Sequence, residues 1–261
     1  MGSIPTSVGI QEGLGDCIVA AASVQKLARE SNSKIKFNTS PKLQFLFDNH
    51  PDIQISNEEP DIKLKWPSQI NYDLFNLHTM QRFATQLGLT VSPTEVVDLY
   101  DSEGERLVNT ATNTVVCLNE LSAEPLRRFI PEKEVRIIED FCTSKGYKIV
   151  RIGDCRKNSE KDISKCVELL RHCKLFIGPI SFHYHLASAI RVKCLLFTSY
   201  MPHYSYSHFF NTTSINSSRQ CVHLCEKDEA KMRRENDCWS QCKAVDYREE
   251  EIKIYLEGLL S

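Results

Sequence analysis

Short apolar runs alternate with helical patterns along most of this chain, and this alternation limits the fold more than any other feature. Near the start, residues 7–11 have the pattern of a short strand, residues 12–16 that of a tight glycine turn, and residues 17–30 that of a helix. In the helical stretch the apolar side chains recur every three or four residues. Repeated units of strand, turn and helix predict a parallel sheet covered by helices.

The same alternation runs through both halves of the chain. We predict strands over residues 7–11, 34–38, 52–56, 114–119, 148–153, 175–178 and 194–199. We predict helices over residues 17–30, 41–48, 80–87, 132–145, 162–172, 184–190 and 247–260. The fold class predicted from this order is α/β, with two Rossmann-like parallel-sheet domains facing a cleft.

A polar, weakly patterned stretch over residues 101–113 indicates a linker between the two domains. The first domain is predicted over residues 1–110 and the second over residues 111–220. A cysteine-rich segment follows over residues 221–245, and a C-terminal helical segment over residues 246–261. Because open parallel sheets bind ligands at the carboxyl ends of their strands, functional residues are expected where strands give way to helices.

Composition excludes several classes of protein. Of the 261 residues, 41% are apolar and 25% are charged, which excludes disordered and low-complexity chains. The 32 Lys and Arg against 34 Asp and Glu leave a net charge of −2, so a nucleic-acid or anionic-lipid partner would need a local basic patch. No apolar stretch is as long as a membrane span, and residues 1–11 lack the pattern of a leader, so we expect a cytoplasmic protein.

Four of the 11 cysteines lie close together in the pattern C-x3-C-x12-C-x3-C: Cys221, Cys225, Cys238 and Cys242. Two pairs with ligand-like spacing are typical of a tetrahedral thiolate site, which suits one iron or zinc ion. Four protein ligands close the coordination sphere, so this metal would be structural. Chance clustering and disulfides are the alternatives, and an odd number of cysteines without a leader disfavours disulfides.

Asp16 closes the predicted glycine turn directly before the first helix, and two roles are open to it. As an N-cap it would accept a hydrogen bond from a helical N–H group. As a general base it would take a proton from an acceptor hydroxyl. Gly13 and Gly15 allow a phosphate or sugar oxygen to approach the backbone at the start of the helix, which makes them candidate donor contacts.

A second candidate site lies where the strand over residues 175–178 gives way to a helix. Ser181, His183 and His185 occupy this turn, and each is either a ligand contact or part of the packing. Arg127 and Arg128 follow the strand over residues 114–119 after a short loop. The two arginines would clamp a diphosphate or, alternatively, form a solvated surface.

Taken in order, these segments resemble the heptosyltransferase family of GT-B glycosyltransferases, known as glycosyltransferase family 9. EGLGDCIVAAASVQKLAR, from residue 12, is similar to the opening glycine turn and helix of that family. HTMQRFATQLGL, from residue 78, is similar to its helix ending in Leu-Gly-Leu, and LFIGPISFHYHLASAI, from residue 175, to its donor motif. The likeness is greatest to the autotransporter adhesin heptosyltransferases, in which a four-cysteine iron site follows the donor domain.

The resemblance implies an inverting glycosyltransferase, which moves a sugar from a nucleotide-diphosphate-sugar to a hydroxyl of a saccharide or a protein. It implies that the first domain binds the acceptor and that Asp16 is the catalytic base. It also implies that Arg127 or Arg128 takes the place of the family's phosphate-binding lysine. The turn from Gly178 to His185 would hold the nucleotide-sugar in the second domain.

This chain departs from the family's donor motif at Ile180 and Phe182. Ile180, Ser181 and Phe182 stand where the family has Asp, then Thr or Ser, then Gly, so the acidic donor contact is missing. The acceptor, the donor sugar and the oligomeric state are left open by the sequence.

Two other functions are compatible with the same residues. A glycosyltransferase of this kind would act on hydroxymethylated bases of viral DNA if a basic patch contacted the phosphates. The basic residues available for such contacts are Lys63, Lys65, Lys231, Arg233 and Arg234, each of which is otherwise part of a solvated surface. The other function is that of a binding module that has lost catalysis, which the missing acid at Ile180 favours.

Overall fold

The computed structural model describes residues 5–65, 79–92, 95–122, 128–198, 211–217 and 246–261. The chain divides into two compact units, and the division falls between Val108 and Asn109. We call the part up to Val108 unit 1 and the part from Asn109 unit 2. Among the described residues, no helix is both long and apolar enough to cross a membrane.

Unit 1 is built on a parallel sheet whose described strands follow the order β3-β2-β1-β4. Its strands are β1 (Ser7–Ile10), β2 (Ile35–Asn38), β3 (Ile53–Ile55) and β4 (Ile62–Leu64), and its helices are α1 (Leu14–Ser31), a 3₁₀ helix (Pro41–Leu46) and α2 (Thr79–Gln86). Residues 17–25 of α1 are all buried, because the small side chains of Ala20, Ala21 and Ala22 let this helix pack closely against β2 and α2.

Unit 2 contains a second parallel sheet, with the strand order β6-β5-β7-β8-β9 among the residues described. Its strands are β5 (Val115–Leu118), β6 (Lys148–Arg151), β7 (Leu175–Pro179), β8 (Cys194–Thr198) and β9 (Thr212–Asn216), and its helices are α3 (Glu132–Ser144), α4 (Ile163–His172), α5 (Phe182–Ala189) and α6 (Glu249–Leu260). Apolar side chains of α3 and α6 form one core with β5, β7 and β8.

The predicted fold class is confirmed, since each unit is a parallel sheet with helices. Two strands of the structure were not predicted from the sequence. Each of them, β4 and β9, is only three to five residues long, and only Leu64 and Ile215 in them are buried. The predicted helix over residues 41–48 is a 3₁₀ helix that ends at Leu46.

The stretch predicted as a linker, residues 101–113, makes hydrogen bonds both within itself and to residues distant in the sequence. The Asp101 Oδ1 atom accepts hydrogen bonds from the main-chain N–H groups of Glu103 and Glu105, which folds a tight turn. The Asn109 side chain donates to the main-chain carbonyls of Leu170 and Cys173 in unit 2. Asp101 therefore bonds main-chain groups of unit 1, and Asn109 bonds main-chain groups of unit 2.

Candidate functional site

The strand order of unit 1 creates a pocket at the carboxyl ends of its strands. The chain leaves β1 towards β2 on one side and returns to β4 on the other, so the neighbours β1 and β4 form a topological switch point. A cavity of about 230 Å³ opens there. It is lined by Gly9, Ile10, Gln11, Glu12, Asn38, Pro60, Lys63, Leu64 and Lys65.

Asp16 lies in the first turn of α1, directly after the loop that contributes Gln11 and Glu12 to the pocket. The interpretation of Asp16 as an N-cap is wrong, because α1 begins at Leu14 and Gly13 is the N-cap residue. Asp16 is half-buried, and a Cβ atom at Gly13 would lie 3.1 Å from its Oδ2 atom. The helix dipole favours a negative charge at this position, and Gly13 leaves room for the carboxylate.

Gly15 also lies inside the first turn of α1 and not in a turn before the helix. The structure thus places the three predicted residues of this segment, Gly13, Gly15 and Asp16, at one helix N-terminus after β1. The pocket residues Lys63 and Lys65 come from β4 and its end, a strand that the sequence analysis did not identify. The alternation of apolar and charged residues in Ile62–Lys65 was the signal for it.

In unit 2 the switch point lies between β5 and β7. The chain continues from β5 to β6 on one side of β5, and β7 is added on the other side. Asn119 and Glu120 follow β5, and Ile180 to His183 follow β7, so these residues share one edge of the sheet. This edge contains Ser181 and His183, two of the residues predicted to bind a donor.

The predicted donor turn is shorter than expected, because β7 continues through Pro179. Gly178 therefore lies within the sheet, opposite Leu196, and is buried. A Cβ atom there would come within 2.7 Å of the Phe176 ring in the same strand and 3.2 Å of the Asn119 carbonyl oxygen after β5, so packing around β7 favours a glycine. Ser181 caps α5 by accepting a hydrogen bond of 3.2 Å from the Tyr184 N–H group.

The two histidines of this segment have different surroundings. His185 is buried within α5, beside the Tyr184 ring. His183 is half-buried and its ring lies against the main chain of Gly153, in the loop after β6. Burial lowers the pKa of His183 to about 4, although the negative charge of Asp154 opposes this shift, so the imidazole is neutral at physiological pH.

No protein-family model matches this sequence, and no curated protein sequence does. Similar solved structures include TibC, an iron-containing dodecameric glycosyltransferase of enterotoxigenic E. coli H10407, with a TM-score of 0.73 at 16% identity over 99% of this chain and 76% of that one. The E. coli heptosyltransferase WaaC with ADP matches with a TM-score of 0.63 at 8% identity, over 97% of this chain and 99% of its own.

A glycosyl transferase family 9 protein from Veillonella parvula DSM 2008 is also similar, with a TM-score of 0.60 at 15% identity over 98% of this chain and 97% of that one. The chain has a GT-B-like heptosyltransferase fold. Identities this low establish the architecture of the heptosyltransferase fold and leave the chemistry to the residues of this chain.

Among the residues predicted as phosphate ligands in this GT-B-like fold, Arg127 lies outside the described residues. Arg128 is half-buried, and its main-chain carbonyl accepts a hydrogen bond of 3.0 Å from the Ser122 N–H group. This bond draws together the two described ends of the segment after β5. Arg128 is thus held near the carboxyl end of β5.

A charged cluster that no sequence pattern predicted lies at the same edge of unit 2. The buried Glu120 carboxylate pairs with Arg151 at 2.6 Å and with the Arg156 guanidinium at 3.2 Å, and it also accepts a hydrogen bond from the Arg156 N–H group at 3.1 Å. Burial alone would raise the pKa of Glu120, but the two arginines outweigh it and lower that pKa. Glu120 therefore remains ionised and fixes the loop after β6.

The four cysteines predicted to bind a metal, Cys221, Cys225, Cys238 and Cys242, lie outside the described residues. Within the described part of the chain, no group of His, Cys, Asp and Glu side chains is arranged to hold a metal ion. The other seven cysteines are unpaired, and all except the half-buried Cys155 are buried. Burial raises the pKa of Cys155 to about 11, so this thiol is protonated at neutral pH.

Proposed function

We propose that this protein is an inverting glycosyltransferase that transfers a sugar from a nucleotide-diphosphate-sugar to an acceptor hydroxyl. The observation that carries this proposal is the position of Asp16: a half-buried carboxylate in the first turn of α1, directly after the strand whose end opens the unit 1 pocket. The heptosyltransferase fold supports it, and one similar solved structure is TibC in complex with ADP-D-β-D-heptose.

In this proposal unit 1 holds the acceptor and Asp16 is the general base. The carboxylate takes the proton of the acceptor hydroxyl as its oxygen attacks the anomeric carbon from the side opposite the leaving group. The bond between the anomeric carbon and the diphosphate breaks, and its electron pair leaves with the nucleoside diphosphate. The configuration at the anomeric carbon is therefore inverted.

Unit 2 would bind the donor at the ends of β5 and β7. Arg127 or Arg128 would neutralise the charge that develops on the diphosphate, and Ser181 and His183 would contact the nucleotide-sugar. Ile180 is buried and apolar, so the contact that an acidic side chain makes in the usual donor motif has no counterpart at this position. Donor selection would therefore depend on neutral groups.

The test is Asp16→Asn, which keeps the shape of the side chain and removes its basicity. We expect turnover of the preferred nucleotide-sugar to fall by roughly 10²- to 10⁴-fold, with donor affinity unchanged. Glu132→Gln is the matched control, because Glu132 is an acid in the first turn of α3. Full activity of Asp16→Asn would reject Asp16 as the base, and a wild-type protein that binds no nucleotide-sugar would favour the non-catalytic binding module.

We further propose that Cys221, Cys225, Cys238 and Cys242 hold one structural iron or zinc ion. Four thiolates are the donor set that these metals prefer, and closed coordination would hold the segment together. Elemental analysis of purified protein is expected to find one metal ion per chain. Cys225→Ser should lose it, whereas Cys155→Ser, a change outside the cluster, should retain it.

The DNA-modifying alternative is favoured by one observation, the presence of Lys63 and Lys65 among the residues that line the unit 1 pocket. Lys63 is already paired with Glu59 at 2.5 Å, which reduces the positive charge available for phosphates. DNA binding that weakens steeply with salt would support a DNA acceptor, and absence of binding at low salt would reject it.

A further inference from the structure

Asn119, Gly153 and His183 come together in unit 2 at the ends of β5, β6 and β7. Gly153 has a φ of +69°, and a Cβ atom on it would lie 2.4 Å from the His183 Cε1 atom, 2.5 Å from its Nδ1 atom and 3.0 Å from the Asn119 Nδ2 atom. The imidazole therefore lies directly against the glycine main chain. Any other residue at position 153 would be disfavoured both by its backbone conformation and by this contact.

The Asn119 side chain has a fixed orientation and one unused atom. Asn119 is fully buried, and its amide nitrogen donates to the main-chain carbonyls of Ile152 and Asp154, each at 3.1 Å. These two bonds identify the oxygen, Oδ1, which has no hydrogen-bond partner among the residues that the structure describes. The Nε2 atom of His183 is likewise buried without a partner in that part of the chain.

Buried polar atoms are costly when they lack partners, so two of them at one sheet edge point to a group supplied from outside the chain. The Asn119 Oδ1 atom is an acceptor only and requires a donor. The phosphate oxygens of a nucleotide-sugar carry no proton at neutral pH, so they cannot donate a hydrogen bond to this atom. A hydroxyl group can donate to Oδ1 and also bond to a neutral imidazole nitrogen.

We propose that Asn119 and His183 form a subsite for a hydroxyl group of the nucleotide-sugar donor, and that Gly153 is the positioning residue for the His183 ring. This inference rests on the proposed function of unit 2 as the donor-binding unit. The hydroxyl belongs either to the ribose or to the transferred sugar. Recognition here is by neutral hydrogen bonds.

Calorimetric titration of the full-length protein with three sets of probes tests the subsite. The probes are ADP-glucose, UDP-glucose and GDP-mannose; the parent diphosphates ADP, UDP and GDP; and inorganic pyrophosphate. We expect His183→Ala to weaken binding of the preferred nucleotide-sugar roughly fivefold to tenfold, as one neutral hydrogen bond would, and to leave pyrophosphate unaffected. Weaker binding of the parent diphosphate as well assigns the hydroxyl to the ribose, and unchanged binding assigns it to the transferred sugar.

Comparing Gly153→Ala with a matched control distinguishes a loss of His183 positioning from a general loss of stability. Gly146 has a φ of +80°, and a Cβ atom on it would meet no other atom within 4 Å, so Gly146→Ala introduces the same backbone strain without the contact. We expect Gly153→Ala to lose donor affinity as His183→Ala does and to unfold at a lower temperature than Gly146→Ala. Adding His183→Ala to Gly153→Ala should remove that difference in melting temperature.

Three results would overturn the subsite. They are unchanged nucleotide-sugar affinity in His183→Ala, an equal loss of pyrophosphate affinity, or equal donor affinity in Gly153→Ala and Gly146→Ala. These results are distinguishable from failure of the proposed function. If the proposed function is wrong, the wild-type protein will bind none of the nucleotide-sugars, and both proposals will be rejected.

Discussion

The two units have the same kind of site in topological terms, and they differ in how its polar groups are satisfied. In unit 1 the strand ends surround an open cavity, and three of the nine residues that line it are charged: Glu12, Lys63 and Lys65. In unit 2 the corresponding edge contains the buried Asn119 and the neutral His183. Strand order places a site at the switch point, and the side chains there decide which polar groups a ligand can meet.

Two histidines, the buried His50 of unit 1 and the half-buried His183 of unit 2, differ in the same respect. In unit 1 the His50 Nδ1 atom accepts hydrogen bonds from the N–H groups of Asp52 and Ile53, and its Nε2 atom lies 3.0 Å from the Gln25 Oε1 atom. Its hydrogen bonds are complete, so His50 has a structural role. His183 in unit 2 retains an unpaired nitrogen among the described residues, which is why only His183 is assigned to a ligand subsite.

The largest expected effect on stability concerns the charged cluster of unit 2. Glu120→Gln would remove the negative charge from two hydrogen-bonded pairs, one with Arg151, which keeps its pair with Glu139, and one with the partly exposed Arg156, and we expect a loss of roughly 3–4 kcal/mol in the free energy of unfolding. Urea denaturation measures it. Glu132→Gln, which breaks an exposed pair with Arg136, is the control, and an equal effect of the two changes would show that the cluster does not stabilise unit 2.

The next effect concerns His50 and the pH dependence of unit 1. Burial lowers the pKa of His50 from 6.5 to about 4, so the unfolded chain binds this proton at a higher pH than the folded one. Stability is then fully present above about pH 6.5 and falls as the pH drops towards 4, by up to roughly 3 kcal/mol.

Denaturation of wild-type protein and His50→Asn between pH 4 and 7 measures this effect. Asn offers an acceptor in place of Nδ1 and does not titrate, so its curve should be flatter in that interval. An identical slope in the two proteins would remove His50 as the cause, and the contrast with His183 would lose its support.

The smallest of these effects concerns the floor of the unit 1 pocket. A Cβ atom on Gly9 would lie 2.6 Å from the Pro60 Cγ atom and 3.2 Å from its Cβ atom. Gly9→Ala should therefore cost about 1–3 kcal/mol and displace Pro60, which lines the pocket. Thermal denaturation and acceptor binding measure the two consequences. If Gly9→Ala left both unchanged, the pocket would be more adaptable than the packing of Gly9 against Pro60 indicates.

Much of the architecture could be predicted because apolar periodicity directly reflects burial. The runs at Val115–Leu118 and Leu175–Pro179 are buried almost throughout, and both strands were predicted within two residues of their ends. The strand Ile62–Leu64 was not predicted, because the alternation of apolar and charged side chains that marks it extends over only four residues. The start of α1 was placed too late, because Gly13 and Gly15 suggested a turn and yet belong to the cap and first turn of the helix.

The residues of the candidate sites also divide into those that a local sequence pattern predicts and those that it does not. Asp16, Ser181 and His183 could be named from the sequence because each lies next to a change from strand to helix. Glu120 with Arg151, and Gly153 against His183, join residues that are distant in the sequence. No local pattern predicts such pairs, because they depend on which strands are neighbours in the sheet.

The sequence by itself determined two parallel-sheet units and the helix N-termini at which chemistry is expected, because periodicity and turn residues act over a few neighbouring positions. The tertiary structure alone decided that Gly178 serves packing, that Asp16 is not a cap, and that Asn119 and His183 each retain a polar atom without a partner in the described part of the chain. Those outcomes depend on three-dimensional proximity and burial, which set the cost of an unpaired group and the space for a side chain.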